Sequence, residues 1–204
     1  MSKALAVRAE AGDSKAQFEL ARRLWIPGRR ASKQKKLEAM KWYRSAAELG
    51  NREAQGELGG ILLDSDFAFY DIAEGFHWLT RAAEQGHRGA QYFLGVQLAT
   101  GEMVEADPKR ALYWYRKAAA AGDAEAQYNI GMMYWGGEGV RKNAATARKW
   151  IAKAARNGDI AAITLLADAY ETGELGFPVN SKQAKYWQER KRRFDRSLER
   201  RRRG

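Results

Sequence analysis

The segment ALYWYRKAAAAGDAEAQYNIGMMYWGGEGV, residues 111–140, decides how the chain folds. Its first part is rich in alanine and ends at Gly122, and Asp123 then begins a part that ends in the glycine run 136–139. An aspartate in this place can cap a new helix, whereas a glycine run favours a turn. The segment therefore predicts two helices joined by a short connection, with the later one running from about residue 124 to 135.

The later helix and the one that follows it both carry a packing face. Ala126, Ile130, Gly131 and Tyr134 lie at helical spacing and form one stripe of small and large side chains. After the glycine run, a second helix presents a similar stripe, and Gly158 is expected to end it in a left-handed cap. The second stripe consists of Ala144, Ala147, Trp150, Ile151, Ala154 and Ala155. A single helical hairpin cannot bury such faces alone, so hairpins of this kind must stack.

The same pattern recurs along the chain at a fixed period. Trp42, Trp78, Trp114 and Trp150 are spaced by 36 residues, and Trp187 follows after 37. An alanine series and a glycine series keep the same phase. Ala54, Ala90, Ala126 and Ala162 are spaced by 36 residues, as are Gly50, Gly86, Gly122 and Gly158, and Ala16 and Gly12 lie 38 residues before the first members. These series predict an all-α protein, a right-handed α/α solenoid of about five two-helix repeats with terminal capping helices.

Composition agrees with a folded helical protein. Of 204 residues, 45% are hydrophobic, only 3 are proline and none is cysteine, so disulfide bonds are excluded. No apolar run reaches the ~18 residues of a membrane span, and the first residues lack a signal peptide. We therefore expect a soluble, cytoplasmic protein.

The segments AQYNIGMMYWGGEGV (126–140) and ALYWYRKAAAAGDAEAQY (111–128) resemble the SEL-one-like repeat (SLR) family, relatives of the tetratricopeptide repeats. The resemblance covers nearly the whole chain and departs from the pattern around Pro27, in residues 64–71 and around Phe177. It implies an adaptor or scaffold that binds other proteins, chiefly in bacteria. The bracing cysteine pairs of some secreted members are missing here.

The predicted organisation has a capping helix, five repeats and a tail. The cap is residues 1–12, and the basic C-terminal helix or tail is residues 189–204. The repeats are expected at residues 13–50, 51–86, 87–122, 123–158 and 159–188.

In arrays of this kind the first helix of each repeat lines a concave groove, and residues off the packing stripe point into it. Exposed aromatic, methionine and arginine side chains are frequent anchors of protein interfaces. The predicted protein-binding groove residues are Lys15, Phe18, Arg22, Trp25, Glu53, Leu63, Tyr92, Val96, Tyr128, Met132, Trp135, Thr164, Asp168 and Glu171. The alternative is that some of these aromatic residues pack against the neighbouring repeat. The tryptophans of the 36-residue series are assigned to packing.

The net charge of +11 is unevenly distributed along the chain. Residues 1–47 carry a net +8, residues 48–107 a net −8, residues 108–187 a net +5 and residues 188–204 a net +6. A polyanion following the whole groove would be repelled in the middle. A protein with complementary blocks of charge would not.

The tail QERKRRFDRSLERRRRG (188–204) suggests another partner. Its cations could bind nucleic acid phosphates or an anionic membrane surface. These residues are Arg190, Lys191, Arg192, Arg193, Arg196, Arg200, Arg201, Arg202 and Arg203. Alternatively the tail is the solvated end of the last helix, with Trp187, Phe194 and Leu198 closing the core.

Catalysis has little support in the sequence. The two histidines, His77 and His87, have no companion at metal-ligand spacing, and no cysteine or nucleophile elbow is present. The glycine run 136–139 lacks the Lys-Ser/Thr pair of a phosphate loop. We expect no enzyme activity, no metal and no cofactor. The favoured function is a protein-binding adaptor, with polyanion binding by the tail and structural self-association as alternatives.

Overall fold

The structure is a computed structural model that describes residues 3–25, 32–65 and 69–203, with side chains described up to residue 200. Within these ranges all regular elements are helical, which confirms the all-α prediction. The chain divides into two compact units, residues 1–94 (unit 1) and residues 95–204 (unit 2). None of the described helices combines the length and the apolar character that crossing a membrane requires.

Unit 1 is built from helices that pack on their neighbours in sequence. They are α1 (Lys3–Glu10), α2 (Ser14–Leu24), α3 (Lys33–Glu48), α4 (Arg52–Leu62) and α5 (Ile72–Glu84), followed by α6 (Arg88–Thr100), which crosses the boundary at residue 95. Contacts join α1 to α2, α2 to α3, α3 to α4 and α4 to α5. The predicted irregular loop around Pro27 lies outside the described residues.

Unit 2 repeats the same arrangement. After the end of α6 come α7 (Pro108–Ala120), α8 (Ala124–Gly136), α9 (Ala144–Arg156), α10 (Ile160–Thr172) and α11 (Ser181–Arg203), with a 3-10 turn at Glu174–Gly176. Each of these helices packs on the next. We call α2, α4, α6, α8 and α10 first helices, and α3, α5, α7, α9 and α11 second helices.

Polar side chains fix where each first helix begins. Asp13, Asn51, Asp123 and Asp159 accept hydrogen bonds from backbone N–H groups of the first turn, as the sequence predicts for Asp123. In the third repeat His87 is the capping residue, because its Nδ1 accepts a hydrogen bond from the backbone N–H of Ala90 at 3.0 Å. Each cap follows a glycine of the 36-residue series, and these glycines have φ between 82° and 95°.

Buried glutamines tie four of the first helices, α2, α4, α6 and α8, to the helix that precedes each of them. The side-chain amides of Gln17, Gln55, Gln91 and Gln127 donate to carbonyl oxygens eight residues earlier, at 2.9–3.2 Å. In two repeats the glutamine oxygen also accepts a bond from the end of the following second helix, from Gln85 at 2.7 Å or from Asn157 at 2.8 Å. The glutamine series was not predicted from the sequence, although it has the period of the tryptophans.

Close helix packing depends on small residues at one position of the first helices. A Cβ on Gly59 would lie 2.6 Å from Cγ of Leu79, and one on Gly131 would lie 2.7 Å from Cγ1 of Ile151. These distances are far below van der Waals contact. The first and second helices of a pair therefore approach as closely as they do because the side chain is missing there.

The tryptophan series contributes to the core as predicted. Trp78, Trp114 and Trp187 are 5–7% exposed, while Trp42 and Trp150 are partly exposed. Almost every alanine of the packing stripes is fully buried as well. Large and small residues thus alternate through each unit's core.

Candidate protein-binding surfaces on the first helices

In unit 1, the predicted groove residues of α2 form an aromatic surface. Phe18 and Trp25 are partly exposed, and their rings lie 6.1 Å and 6.3 Å from the ring of buried Tyr43. The Arg22 guanidinium lies 5.7 Å from the centre of the Phe18 ring, and Lys15 is exposed on the same helix. These aromatic side chains therefore pack on the core of unit 1 and are also partly exposed to solvent.

Tyr43 shows the electrostatic character of this surface. Burial raises the pKa of the Tyr43 hydroxyl, and the Glu57 carboxylate acts in the same direction while Arg22 opposes it. Opposite charges of α2 and α4 thus act on the same phenol. A ligand here would meet an aromatic surface with a cation on one helix and a carboxylate on the next.

The groove residues predicted on α4 have different surroundings. Glu53 is exposed and its carboxylate contacts Arg52 at 2.7 Å and His87 at 3.2 Å. Leu63 is only 6% exposed, and its side chain lies 2.7 Å from the place that a Cβ of Gly75 would occupy. Leu63 therefore packs α4 on α5, and we leave it out of the surface proposed below.

A glycine replaces a large groove residue in the second repeat. Gly56 occupies the position equivalent to Phe18, Tyr92 and Tyr128, and the His87 ring lies 2.8 Å from the place of its missing Cβ. His87 thus caps α6 and also covers this gap. The contact of His87 with Gly56 was not predicted from the sequence. Tyr92 and Val96, predicted on α6, are both partly exposed.

In unit 2, the predicted groove residues of α8 form a continuous surface. Tyr128, Met132 and Trp135 follow helical spacing, are partly exposed and pack against the buried cluster around Ile151 and Leu166. The Lys142 ammonium lies 5.3 Å from the centre of the Trp135 ring. Burial raises the pKa of the Tyr128 hydroxyl, and the Asp159 carboxylate acts in the same direction.

Carboxylates of α10 lie beside this surface. Asp168 and Glu171 are exposed, Thr164 is partly buried, and Glu171 accepts a hydrogen bond from Gln188 at 3.1 Å. Burial raises the pKa of the Asp159 carboxyl, and the nearby carboxylates of Glu125 and Asp123 add to this effect. Helices α8 and α10 contain no lysine or arginine. The first-helix side of unit 2 is therefore apolar and acidic.

The predicted basic tail is the second half of helix α11. Glu189 pairs with Arg193 at 3.2 Å and with Arg196 at 3.1 Å, and α11 contains far more cations than carboxylates. Arg190 lies 5.4 Å from the centre of the Trp187 ring. Arg190, Arg193 and Phe194 line a cleft that also includes Ile163. Lys191 is partly exposed, Arg192 and Arg200 are exposed, and the side chains of Arg201, Arg202 and Arg203 lie outside the described part.

No arrangement for catalysis emerges from the described residues. Among them, no three histidine, aspartate or glutamate side chains come together as metal ligands would. His77 is exposed, and its ring lies 5.0 Å from that of Trp78. Asp66, one of three aspartates that cluster in the sequence, lies outside the described residues.

Comparison with known proteins places these surfaces on a familiar repeat. The Sel1 repeat family model matches residues 14–51, 52–87, 89–123, 124–159 and 160–190. No curated protein is significantly similar to the chain.

Solved structures of bacterial proteins share the fold. A protective antigen of uropathogenic Escherichia coli with an SLR fold is 33% identical with a TM-score of 0.82, over 93% of this chain and 40% of that one. A Sel1 repeat protein from Oxalobacter formigenes is 33% identical with a TM-score of 0.73, over 91% and 73%. An immunity protein from Pseudomonas aeruginosa, 20% identical with a TM-score of 0.57 over 94% and 72%, shares the fold alone. The chain spans less than half the length of the first of these proteins.

Proposed function

The chain belongs to the Sel1 repeat family, and on that premise we propose that it is an adaptor that binds a partner polypeptide through the exposed parts of its first helices. Proteins built from this repeat commonly serve as interaction scaffolds. The surface that we assign to this role in unit 2 consists of Tyr128, Met132, Trp135, Thr164, Asp168 and Glu171, and we call it the α8–α10 surface. In unit 1 the equivalent residues are Lys15, Phe18, Arg22 and Trp25.

One observation carries the proposal: an aromatic and methionine stripe on α8 packs against buried residues of α10, a helix that also carries exposed carboxylates. Side chains of this kind adapt to an apolar anchor, and they contribute strongly to binding when a partner excludes water from them. The carboxylates of Asp168 and Glu171 favour lysine or arginine in the same partner, because no cation on α8 or α10 neutralises them. The partner segment therefore combines an apolar anchor with basic residues.

A defined peptide library tests this proposal without knowledge of the partner. The purified full chain selects peptides from a random display library, and the affinities of the selected peptides are then measured by fluorescence anisotropy. We expect peptides with an aromatic or aliphatic anchor and flanking basic residues. Met132→Arg and Asp168→Lys should each weaken their binding about ten-fold or more, because truncating or reversing an anchor typically costs at least about 1.4 kcal/mol.

The matched control is Lys149→Glu, an exposed residue on the second helix α9. It reverses one charge, as Asp168→Lys does, but away from the α8–α10 surface, so peptide affinity should stay unchanged. Trp25→Ala and Trp135→Ala, made separately, then show whether unit 1 or unit 2 holds a given peptide. If no peptide is enriched, or if Met132→Arg and Asp168→Lys bind the selected peptides as the wild type does, the α8–α10 surface is not a binding site.

A further inference from the structure

The second helices of unit 2 have a one-sided charge. The charged residues of α7 are Lys109, Arg110, Arg116 and Lys117, and those of α9 are Arg148, Lys149, Lys153 and Arg156, so neither helix has a carboxylate. Helix α11 has eleven lysines and arginines and three carboxylates. The charged residues of the first helices α8 and α10 are only Glu125, Asp168 and Glu171. Unit 2 therefore separates its charges by layer, with the cations on the second helices.

These cations recur at equivalent positions of the repeats. Lys117, Lys153 and Arg190 each follow a tryptophan of the 36-residue series by three residues. Each lies over an aromatic ring of its own helix, 5.2 Å from the centre of Tyr113, 4.9 Å from Trp150 and 5.4 Å from Trp187. The ring holds the aliphatic stem in place while the charged group stays at the surface. The cations are thus positioned rather than scattered.

Exposed aromatic rings alternate with these cations. Tyr113 on α7 is 53% exposed and Tyr186 on α11 is 51% exposed, and each directly precedes a tryptophan of the series. Rows of cations interleaved with exposed rings are typical of proteins that bind single-stranded nucleic acid, since the cations contact phosphates and the rings stack on unpaired bases. A helix that inserts into a membrane interface presents a broad apolar face beside its cations. Among described aliphatic residues of α7, α9 and α11, only Leu198 is a large exposed one.

We propose that the second-helix face of unit 2 binds single-stranded nucleic acid, RNA or DNA, without reading its sequence. Lys117, Lys149 and Lys153 contact the phosphates, Tyr113 and Tyr186 stack on bases, and the cations of α11 extend the track. The proposal enlarges the role predicted for the tail, because most of the face lies outside residues 189–204. It is independent of peptide binding by α8 and α10.

Fluorescence anisotropy of labelled oligo(dT) and oligo(U) tests the proposal with the full chain. Binding should weaken steeply as salt rises, since each phosphate contact releases a condensed counterion. The triple variant Lys117→Glu, Lys149→Glu, Lys153→Glu should weaken binding about ten-fold or more and flatten the salt dependence. Tyr113→Ala and Tyr186→Ala should each weaken it about five-fold or more at unchanged salt dependence. If circular dichroism shows that the triple variant unfolds, lysine-to-glutamine changes at the same positions replace it.

The matched control reverses three exposed cations of helix α3 in unit 1, Lys33→Glu, Lys35→Glu and Lys41→Glu. It changes net charge by the same amount, so equal losses in both triple variants would mean that binding follows total charge, and the proposed face would be wrong. Deleting residues 189–204 should weaken binding and leave it sensitive to the α7 and α9 changes. Complete loss on deletion, together with no effect of the triple variant, would assign all binding to the tail and overturn the proposal. Binding to vesicles that contain phosphatidylserine without binding to either oligonucleotide would overturn it as well.

Discussion

Two neighbouring glycines of helix α4 allow a direct test of what holds a helix pair together. Gly59 is buried, and a Cβ there would lie 2.6 Å from Cγ of Leu79, 2.9 Å from the carbonyl oxygen of Gly75 and 3.0 Å from the backbone nitrogen of Leu79. Gly60 is exposed, and a Cβ there would have no neighbour within 4 Å. Alanine at either position gains about 1 kcal/mol of helix propensity over glycine. Only at Gly59 must the two helices move apart.

The difference in the free energy of unfolding between Gly59→Ala and Gly60→Ala therefore measures the cost of disturbing the contact between α4 and α5. Gly60→Ala should raise the free energy of unfolding by about 1 kcal/mol, because the propensity gain has nothing to oppose it. Gly59→Ala should lie about 1–3 kcal/mol below Gly60→Ala, since overpacking against backbone atoms cannot be relieved by rotating a side chain. For a chain of this size a difference of 2 kcal/mol separates the melting temperatures by about 4–8 °C.

Thermal unfolding followed by circular dichroism at the helical minimum measures both variants, and urea unfolding followed by tryptophan fluorescence gives a second estimate. The propensity gain is common to both substitutions, so their difference does not depend on its value. Equal stability of Gly59→Ala and Gly60→Ala would refute the argument that a missing side chain sets the distance between α4 and α5.

Two further predictions concern polar contacts in unit 1. Among the described residues, the buried Oε1 of Gln17 has no hydrogen-bond partner, while the equivalent atom of Gln55 accepts from Gln85 at 2.7 Å. Leu49 occupies the position equivalent to Gln85 and is 56% exposed. Leu49→Gln should therefore donate a hydrogen bond to the Oε1 of Gln17 and raise the free energy of unfolding by about 1 kcal/mol. A lower free energy of unfolding in urea would contradict this. Glu74 receives two bonds from Arg44 at 2.7 Å and 3.0 Å, and this pairing lowers the pKa of its carboxyl from the ordinary 4.5. A lowered carboxyl pKa stabilises the folded state at pH values above the ordinary pKa of 4.5. Glu74→Gln should therefore lower the free energy of unfolding by up to about 1 kcal/mol at pH 7, and this loss should shrink as the pH falls below 4.5. A loss that does not change with pH would contradict this.

The fold was predictable because its determinants are periodic. The tryptophans, alanines and glycines recur at 36 residues, and each serves one physical purpose at every recurrence: a large core residue, a close helix contact or a left-handed helix end. Stacking helps the prediction, since equivalent residues in successive repeats meet equivalent neighbours. The chain matches five successive Sel1 repeats, the number that this periodicity predicts.

The candidate surfaces were less predictable because they depend on what differs between repeats. Leu63 is placed like Trp25 and Trp135 in the periodic pattern, yet it is buried, because Gly75 on the facing helix leaves room for its side chain. Gly56 leaves a similar gap, which His87 fills from the next repeat. A residue's exposure at these positions depends on the size of a partner in another helix, and a periodic pattern does not contain that information.

The charge separation in unit 2 was hidden for a simpler reason. First and second helices alternate about every 18 residues, so a net charge summed over residues 108–187 adds an acidic layer to a basic one. The resulting +5 describes neither layer. Once the helices are assigned to layers, the same residues show an acidic surface for a basic peptide and a basic face for an anionic strand, and the two proposals can be tested on different side chains.

The fifth repeat differs from the fourth at one polar pair and at the end of its second helix. Where Gln127 meets Asn157 in the fourth repeat, the fifth has Ile163 and Phe194, which line one cleft, so a polar pair has become an apolar one. The residue that follows is Asp195 instead of the series glycine, and without a left-handed cap α11 continues to 23 residues, whereas α7 and α9 end after 13. The three differences, at Ile163, Phe194 and Asp195, thus accompany both the change in packing and the long basic helix that extends the second-helix face.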